Sequence, residues 1–274
     1  MSLLSSILYP APRLHESRLK NRFNGRWVVV TGASHGIGEA LVRRLMHCGA
    51  NLYLLARSEP ELQELCREAR AMGCRASYRC VDLRDRLALN SVCDDLAKTL
   101  PSVDFLFCNA GKSICRRLVD ATDRLHDFDR TMDLNYRSMV ALSLTLLPAL
   151  RRTGGQLVYT SSVSSLYPPA PKWSAYHASK CASNVWCRTA ACEWHSLGIG
   201  VHVAYLPLVR TPMSQVNPNY HALPAYSAHD AAGILLRLAL SKHFAYKPWW
   251  AWVTAPVASF LAPFVRFFYQ KVAR

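Results

Sequence analysis

Short apolar runs alternate with amphipathic stretches along most of the chain. Runs of about four to eight apolar residues between turn signals are typical of buried strands, whereas apolar residues recurring about every three or four positions are typical of helices. This pattern predicts strands at 27–31, 51–56, 75–81, 103–108, 156–160 and 200–206. It predicts helices in the intervening stretches, from 37 to Gly49 and at 59–72, 86–99, 124–152 and 175–196.

The regular alternation of strand and helix indicates the fold class. Successive strand–helix–strand units build a parallel sheet whose helices cover both faces. We therefore expect an α/β protein with a single Rossmann-type, doubly wound parallel sheet. No repeat, low-complexity tract or linker divides the 274 residues, so one domain is expected at 25–242, with an N-terminal extension at 1–24 and an apolar, aromatic tail at 243–274.

Composition and charge narrow the class of protein. Hydrophobic residues make up 51% of the chain and charged residues 19%, a balance that excludes a disordered polypeptide. The net charge of +15 raises nucleic acid or anionic lipid as partners. The basic residues are scattered from Arg13 to Arg274 and no nucleic-acid-binding motif accompanies them, so no specific nucleic-acid partner is expected.

The ten cysteines lie mostly in apolar runs, and none forms a Cys-x-x-Cys pair. Their spacing fits neither a disulfide-stapled secreted scaffold nor a zinc site. Residues 1–20 also lack the basic start, apolar stretch and cleavage site of a signal peptide. We interpret the cysteines as reduced thiols of a cytoplasmic protein and expect no metal ion.

A glycine-rich turn follows the first predicted strand and opens the first predicted helix. Glycines at 32, 36 and 38 let the backbone turn tightly and approach a pyrophosphate, whose charge is favourable at the N-terminus of the helix. Ser34, His35 and Ile37 lie in the same turn and are further candidates for cofactor contact. His35 could add a positive charge, or it could be an exposed loop residue.

The end of the second predicted strand bears on the choice of dinucleotide. A site that selects NAD places an acidic residue here to bind the ribose 2′-hydroxyl. This chain has Ala56 and Arg57 instead, and a guanidinium suits a 2′-phosphate. The sequence therefore predicts that NADPH is preferred.

Polar residues also follow the third and fourth predicted strands. Asp82, which precedes Leu83, could accept a hydrogen bond from the adenine amine or could cap a turn. Asn109, Ala110 and Gly111 form a turn of short side chains that lets the backbone approach a cofactor, although an ordinary loop has the same composition.

Tyr176 and Lys180 form the candidate catalytic pair. Residues four apart on a helix share one face, so the phenol and the ammonium point into the same space. A tyrosine has a pKa of about 10, and a positive charge within a few ångströms lowers this by about 1–3 units. We expect Lys180 to lower the pKa of Tyr176 in this way, making the phenol a usable proton donor and acceptor.

The ordered set of these motifs resembles the short-chain dehydrogenase/reductase family over about residues 25–240. The matching pieces are Thr31-Gly-x-x-x-Gly-x-Gly38, Asp82, Asn109-Ala-Gly111, Asn135, Ser161-Ser162, Tyr176-x-x-x-Lys180 and Pro207…Thr211. The resemblance implies a NADP-binding catalytic domain at 25–242.

The resemblance also implies the role of each matching residue. Tyr176 is implied to protonate the substrate carbonyl oxygen, and Lys180 to lower the tyrosine pKa and bind the nicotinamide ribose. Asn135 is implied to support a water that relays protons to Lys180, and Thr211 to contact the carboxamide. A serine is implied to hold the substrate oxygen.

The sequence departs from the family pattern at two places. The serine of the family lies about thirteen residues before the tyrosine, a position taken here by Val163. Ser162, at the Ser-Ser end of the strand, is the preferred candidate, and Ser164 is the alternative. The Pro-Gly of the family is Pro207-Leu208 here, which restricts the backbone beside the nicotinamide.

Three segments resemble bacterial fatty-acyl-CoA reductase-type members of the family. They are Asn109-Ala-Gly-Lys-Ser-Ile, Arg130-Thr-Met-Asp-Leu-Asn135-Tyr and Leu206-Pro-Leu-Val-Arg-Thr-Pro-Met213. This resemblance implies a long-chain acyl or other lipid substrate. The loops at 166–173 and 213–227 are rich in proline and aromatic residues, which suits a hydrophobic carbonyl substrate or simply lets the loops pack together.

Apolar residues also mark both ends of the chain. Leu3, Leu4, Ile7 and Leu8 could form one face of a short helix that rests on a membrane or a partner, or a loosely docked terminus. Residues 248–265 carry no charge and are interrupted by Pro256 and Pro263. Such a segment, extended to 269, suits peripheral membrane contact, a lid over the sheet or a dimer interface.

The expected function is NADPH-dependent reduction of a carbonyl on a fatty-acyl or lipid-like substrate. The alternative within the enzyme class is a ketone reductase for a steroid, sphingoid or 3-oxoacyl substrate. The alternative from another class is a non-catalytic NADPH sensor or scaffold. The sequence leaves the oligomeric state open, and a homo-oligomer is compatible with it.

Overall fold

A seven-stranded parallel sheet lies at the centre of the computed structural model, which describes residues 7–272. The order across the sheet is β3-β2-β1-β4-β5-β6-β9. The strands are β1 Trp27–Thr31, β2 Asn51–Ala56, β3 Ala76–Cys80, β4 Phe105–Cys108, β5 Gln156–Ser162, β6 Gly200–Leu206 and β9 Ala245–Tyr246. Two further strands, β7 Val209–Arg210 and β8 Tyr226–Ser227, pair only with each other.

Helices connect the strands in sequence order. They are α1 Glu16–Phe23, α2 Gly36–His47, α3 Glu59–Ala71, α4 Arg86–Thr99, α5 Leu125–Met132, α6 Ser138–Thr153, α7 Ser174–His195, α8 Pro212–Gln215, α9 Ala228–Ala239, α10 Trp249–Phe260 and α11 Ala262–Val272. Single 3₁₀ turns lie at Leu118–Asp120, Val163–Leu166 and Pro218–Tyr220.

The central strand β1 shows why the sheet is covered on both faces. Successive side chains of a strand point to opposite faces. Val28 and Val30 accordingly belong to the hydrophobic cluster that contains α2 and α9, whereas Val29 belongs to the cluster that contains α4, α6 and α7. All three valines are completely buried. The predicted α/β class and the single doubly wound parallel sheet are therefore confirmed.

The seventh strand was not predicted from the hydrophobic pattern. Ala245 and Tyr246 pair with Val203 and Ala204 of β6, and two residues are too few to produce an apolar run. This strand lies beyond residue 242, where the tail was expected to begin. The first part of the expected tail is therefore part of the sheet.

The helical stretch predicted at 124–152 is continuous in the structure but contains a change of helix type. The five residues Asp133–Arg137 form a π-helical turn between α5 and α6. Such turns insert one extra residue into a helix and occur frequently at functional sites. Asn135 lies in the middle of this turn.

The described part of the N-terminal extension packs against the core. Leu19 and Phe23 of α1 are completely buried, and the Phe23 ring lies 4.5 Å from that of Phe105 in β4. Tyr9 makes an edge-on contact with Tyr226 at 5.1 Å. Of the apolar face expected at the N-terminus, Ile7 is 54% exposed, and Leu3 and Leu4 lie outside the described residues.

The C-terminal segment forms two short helices rather than one. α10 and α11 meet at Leu261 with a bend of 80°. Pro263 lies in the first turn of α11, where proline is tolerated, whereas a helix continuing unbroken from α10 would lose a hydrogen bond there. Across residues 7–272, no single helix has the length and apolar character to span a membrane, and only this bent pair meets that test jointly.

The burial of α1 generates a first prediction. Phe23→Ala should lower the free energy of unfolding by about 3–5 kcal/mol, because it removes a completely buried ring and leaves a cavity beside Phe105. Urea denaturation followed by tryptophan fluorescence measures the change. Arg18→Ala on the exposed side of α1 is the matched control and should change stability by less than about 0.5 kcal/mol. Equal stability of the two variants would show that α1 is dispensable to the core.

Candidate active site

The glycine turn between β1 and α2 has the geometry of a dinucleotide cradle. Gly32 and Gly36 have φ angles of +65° and +59°, which only glycine adopts without strain. A Cβ atom on Gly38 would lie 1.9 Å from the carbonyl oxygen of Gly32, so this position requires glycine for the helix to approach the strand. These three roles match those of the glycines in dinucleotide-binding turns. The turn therefore fits the pyrophosphate of NAD(P).

The glycine turn is held against the end of β4. A Cβ atom on Gly32 would lie 2.9 Å from the Cα atom of Ala110. The hydroxyl of Thr31 accepts hydrogen bonds from the backbone N–H groups of Asn109 and Ala110, at 3.0 and 2.9 Å. The amide of Asn109 donates to the carbonyl of Gly32 at 3.4 Å. The structure thus brings together the two turns that the sequence analysis had considered separately.

Thr31 is a site residue whose role the sequence analysis missed. It appeared only as the first residue of the glycine motif, and its partners lie 78 and 79 positions away along the chain. A threonine at the end of a buried strand was the available signal, because a buried hydroxyl needs hydrogen-bond partners.

The other residues of the glycine turn differ in exposure. Ser34 is buried, and its hydroxyl lies 2.9 Å from Nδ1 of His35. Nε2 of His35 lies 3.6 Å from the Glu61 carboxylate, so any positive charge on this ring faces a carboxylate. Ile37 is partly buried and packs against the core.

Asp82 caps a turn at the end of β3. One carboxylate oxygen accepts from the backbone N–H of Arg84 at 3.0 Å, and both oxygens accept from its guanidinium. The hydrogen bonds from the Arg84 side chain are the largest contribution that lowers the pKa of Asp82, and Arg57 adds a smaller one. Leu83 is buried beside it. Two roles were left open for Asp82. Its hydrogen bond with the backbone of Arg84 corresponds to the turn-capping role.

Several positive charges gather near the ends of β2, β3 and β4. Burial lowers the pKa of Lys112, and the positive charges of Arg130, Arg84 and Arg57 lower it further. Arg84 is paired with Asp82 and Arg130 with Asp127, so part of this positive charge is compensated within the protein. A cluster of like charges is unfavourable unless an anion neutralises it.

Lys180 is buried in the first half of α7, with 5% of its surface exposed. Its Nζ atom donates to the carbonyl oxygen of Thr160 at 2.8 Å and lies 4.8 Å from the centre of the Tyr159 ring. Burial lowers the pKa of Lys180 to about 8, since removal from water disfavours the charged form. The group therefore titrates near neutral pH.

Tyr176 lies one helical turn before Lys180, as the spacing predicts, and the ammonium is 6.0 Å from the centre of its ring. Burial raises the pKa of Tyr176, and the hydrogen bond with Ser162 opposes this rise. The expectation that Lys180 lowers this pKa is therefore not met in the protein alone. Spacing along a helix indicates proximity, but it does not reveal the desolvation that dominates here. The phenol is neutral and able to donate a proton.

The serines at the end of β5 divide into two groups. Ser161 and Ser165 are both hydrogen-bonded to the side-chain amide of Asn184, at 2.7 and 2.8 Å. Ser162 instead lies against Tyr176, and its hydroxyl is 2.8 Å from that of Ser164. The structure thus brings the preferred candidate to the tyrosine and leaves Ser164 as its hydrogen-bond partner.

Asn135 is completely buried in the π-helical turn. Its side chain accepts from the backbone N–H of Lys112 at 2.8 Å and donates to the carbonyl of the same residue at 2.9 Å. It also donates to the hydroxyl of Ser179 at 2.9 Å. A Cβ atom on Gly111 would lie 3.4 Å from the Asn135 oxygen and 3.7 Å from Nζ of Lys180. Asn135 therefore joins the turn after β4 to α7.

Ser179 is a second residue that the sequence analysis missed. It lies next to Lys180, is completely buried, and its hydroxyl donates to the carbonyl of Tyr176 at 2.8 Å. The available signal was its position between the tyrosine and the lysine. No spacing rule could have named its partner Asn135, which lies 44 positions earlier.

Thr211 lies against the glycine turn. A Cβ atom on Gly36 would be 3.0 Å from the Thr211 methyl group. The Thr211 hydroxyl caps α8 by accepting from the N–H of Ser214 at 3.4 Å. The carbonyl of Leu208, which replaces the glycine of the family pattern, accepts from the N–H of Tyr226 at 3.0 Å.

Aromatic residues form a wall next to Tyr176. The Trp173 ring makes an edge-on contact with Tyr176 at 6.1 Å and stacks on Tyr220 at 6.2 Å. Met213 and Val216, from the same irregular segment as Tyr220, are 49% and 83% exposed. Exposed apolar groups of this kind can bind an apolar substrate, because such binding removes their surface from water.

Comparison with known proteins agrees with this geometry. The chain is 36% identical to a fatty acyl-CoA reductase of Acinetobacter baylyi over 81% of this chain and 75% of that protein. It is 34% identical to a fatty acyl-CoA reductase of Mycobacterium tuberculosis over 76% of this chain and 71% of that protein.

A solved structure and a family model complete the comparison. A protein of Beutenbergia cavernae, provisionally assigned as an NAD(P)-dependent gluconate 5-dehydrogenase and solved with NADP at low occupancy, superimposes with a TM-score of 0.73. The two chains are 26% identical, and the match covers 81% of this chain and 94% of the other. The family model for short chain dehydrogenases matches residues 26–222. The chain therefore belongs to the short-chain dehydrogenase/reductase family of NAD(P)-dependent oxidoreductases.

Proposed function

We propose that this protein uses NADPH to reduce the carbonyl group of a fatty-acyl or other lipid-like substrate, with Tyr176 as the general acid. The observation that carries the proposal is the grouping of Tyr176, Ser162 and a buried Lys180 beside an aromatic wall. A scaffold without turnover has no need of a buried ammonium next to a neutral phenol.

The proton side of the reaction follows from the protonation states of the site. Bound NADPH supplies hydride to the carbonyl carbon. The phenol of Tyr176 is neutral because burial raises its pKa, so it donates its proton to the carbonyl oxygen as negative charge develops there. The Ser162 hydroxyl donates a hydrogen bond to the same oxygen, which stabilises that charge.

Lys180 acts on the tyrosinate that remains after proton transfer. A cation about 6 Å away favours the phenolate, and the low dielectric of a buried site strengthens the attraction. Asn135 and Ser179 position this part of α7 by joining it to the turn after β4. They are positioning residues, since their side-chain partners lie within the protein.

The basic cluster supports the choice of NADPH over NADH. Arg57 is exposed at the end of β2, and its positive charge reaches both Asp82 and Lys112. Lys112 adds a further positive charge in the same region, whereas the charge of Arg84 is paired with Asp82. A 2′-phosphate would relieve the repulsion within this cluster, whereas the 2′-hydroxyl of NADH would not.

The region around Trp173 suits a substrate in which a lipid acyl chain is joined through a thioester to a carrier that bears phosphate groups. The aromatic wall suits an acyl chain, and the two reductases described above are named for fatty acyl-CoA. The backbone N–H of Arg116 donates to the carbonyl of Lys172 at 2.7 Å, next to Trp173. The side chains of Arg116, Arg124 and Arg130 converge on the single carboxylate of Asp127, which leaves an excess of positive charge for phosphates.

The ketone reductase is the alternative within the same chemistry. A steroid, sphingoid or 3-oxoacyl ketone would meet the same tyrosine and the same apolar wall. The products distinguish the two functions: reduction of a thioester gives an aldehyde or primary alcohol and releases a thiol, whereas reduction of a ketone gives a secondary alcohol.

The central experiment follows NADPH oxidation with long-chain acyl-CoA, fatty aldehyde, 3-oxoacyl thioester and ketosteroid. We expect turnover with the acyl-CoA or the aldehyde. Tyr176→Phe should abolish this turnover because the proton donor is lost. Its affinity for NADPH should stay within about threefold of the wild-type affinity.

Tyr78→Phe is the matched control for this experiment. Its hydroxyl lies on the surface with Glu59 as its partner, so activity should be retained. Full activity of Tyr176→Phe would contradict the proposed mechanism. Tight NADPH binding without turnover on any of the four substrates would favour the NADPH sensor.

The pH dependence of reduction should report the titration of Lys180. Below its pKa of about 8 the ammonium is charged and stabilises the tyrosinate, and above it this stabilisation is lost. The value of kcat/KM should therefore fall as pH rises through about 8. Tyr176 does not produce this limb, because burial raises its own pKa.

Steady-state kinetics between about pH 6 and 10 measures this limb. Lys98→Met, on the exposed side of α4, should leave the profile unchanged, whereas Lys180→Met should abolish activity at every pH. A value of kcat/KM that stays constant up to about pH 10 would contradict the role assigned to Lys180.

Cofactor preference should depend on Arg57. Arg57→Ala should lower kcat/KM for NADPH by about 10- to 100-fold, the effect of one charge-assisted hydrogen bond to a phosphate, and should leave the value for NADH nearly unchanged. Arg67→Ala on the exposed face of α3 is the control. Equal losses with both dinucleotides would show that Arg57 stabilises the fold rather than selecting the 2′-phosphate.

A further inference from the structure

The C-terminal helices expose the side chains that a helix in water would bury. In α10 the buried residues are the small Ala251 and Ala255, with 1% and 7% of their surface exposed. Trp249, Trp252 and Val253 of the same helix are 56%, 59% and 66% exposed. A helix that faced water on this side would show the opposite arrangement.

α11 continues the same apolar surface beyond the 80° bend. The exposed apolar side chains of the two helices and their junction are Trp249, Trp252, Val253, Val257, Phe260, Leu261, Phe264, Phe267 and Phe268. We call these nine residues the aromatic surface. Contiguous apolar surface of this kind marks an interaction site rather than ordinary solvent-facing structure.

The stretch of sequence that carries the aromatic surface has only positive charges. From residue 231 to the C-terminus the sequence contains six basic residues and no acidic one. Nζ of Lys247 lies 4.7 Å from the centre of the Trp252 ring, and Nζ of Lys271 lies 4.6 Å from that of Phe267. Each ammonium thus lies over the face of an aromatic ring, a cation–π contact, and basic residues beside aromatic rings are typical of membrane-interfacial segments.

We propose that the aromatic surface docks the protein onto an anionic lipid bilayer, with α10 and α11 lying in the interface. Trp and Phe side chains enter the boundary between headgroups and acyl chains, and the lysines attract the anionic headgroups. A second copy of the chain is the less favourable occupant, because a two-fold contact would bring together two segments that both carry positive charge and no negative charge.

The docked helices are joined to the catalytic loop. The hydroxyl of Thr254 in α10 lies 2.5 Å from that of Tyr167, which directly follows the 3₁₀ turn beginning after Ser162. The N-terminal segment contacts α10 as well, because the Trp249 indole donates to the carbonyl of Ile7 at 3.0 Å. Docking therefore holds Tyr167, in the loop that leads to Trp173, near the bilayer, where a lipid-like substrate is concentrated, and this part of the inference rests on the proposed function.

Vesicle co-sedimentation of the full chain tests the docking without any substrate. We expect the protein to sediment with phosphatidylcholine vesicles that contain about 30% phosphatidylglycerol and to remain in the supernatant with pure phosphatidylcholine at physiological salt. Phe264→Ser/Phe268→Ser should reduce binding to the anionic vesicles by about tenfold or more, since it removes two inserted rings. Lys247→Glu/Lys271→Glu should reduce it and abolish its dependence on salt.

Leu87→Ser/Leu144→Ser is the matched control, since these leucines are 81% and 53% exposed on other helices, and it should bind as the wild type does. Unchanged thermal melting of each variant confirms that it is folded. A wild-type protein that stays in the supernatant with anionic vesicles would overturn the proposal. So would a dimer in light scattering that Phe264→Ser/Phe268→Ser converts to a monomer, because the occupant would then be a second copy.

Turnover of a water-soluble, short-chain substrate without vesicles separates this inference from the proposed function. Vesicle binding without turnover would support the docking and contradict the reductase. Turnover without vesicle binding would support the reductase and contradict the docking.

Discussion

The burial of one ammonium group constrains much of this structure. Charge on Lys180 is costly away from water, and the protein compensates with a backbone carbonyl from β5 and the face of an aromatic ring rather than with a carboxylate. A carboxylate at that place would hold the lysine in a tight ion pair and neutralise the field that it exerts on Tyr176. Compensation by neutral groups is weaker, and the lowered pKa of Lys180 reflects this. The positive charge of Lys180 therefore remains available to interact with negative charge on Tyr176.

The same requirement explains how the surrounding elements are joined. The lysine lies on α7, its acceptor on β5, and the amide that fixes the neighbouring backbone on the π-helical turn before α6. These elements are held together by hydrogen bonds between buried polar groups, each of which costs free energy if left without a partner. The geometry of the site is thus specified by polar contacts, while the hydrophobic clusters on either side of the sheet supply the stability.

Local sequence patterns were sufficient to predict most of the fold. They failed where a strand or a hydrogen bond depends on residues that are distant in the sequence. Apart from the polar β3, the strands from β1 to β6 contain apolar runs of about four or more residues, so their pattern is visible locally. β9 is too short to show such a pattern. Its residues form a strand because they pair with the edge of β6. The spacing of Tyr176 and Lys180 identified the pair, but the direction of the tyrosine pKa depends on burial by loops that the pattern does not resolve. Thr31 and Ser179 were missed because their partners lie far away in the sequence.

The short strand β9 has a consequence for the integrity of the whole sheet. β6 carries buried side chains on both faces, with Val203 and Tyr205 on one and Ala204 and Leu206 on the other. Without β9, its backbone would lose the pairing at Val203 and Ala204. An unpaired, apolar edge is a template for association with other chains. Removing the apolar C-terminus at residue 242 to improve solubility would expose that edge and promote aggregation. A truncation that ends after Lys247 would remove the aromatic helices and keep the edge covered.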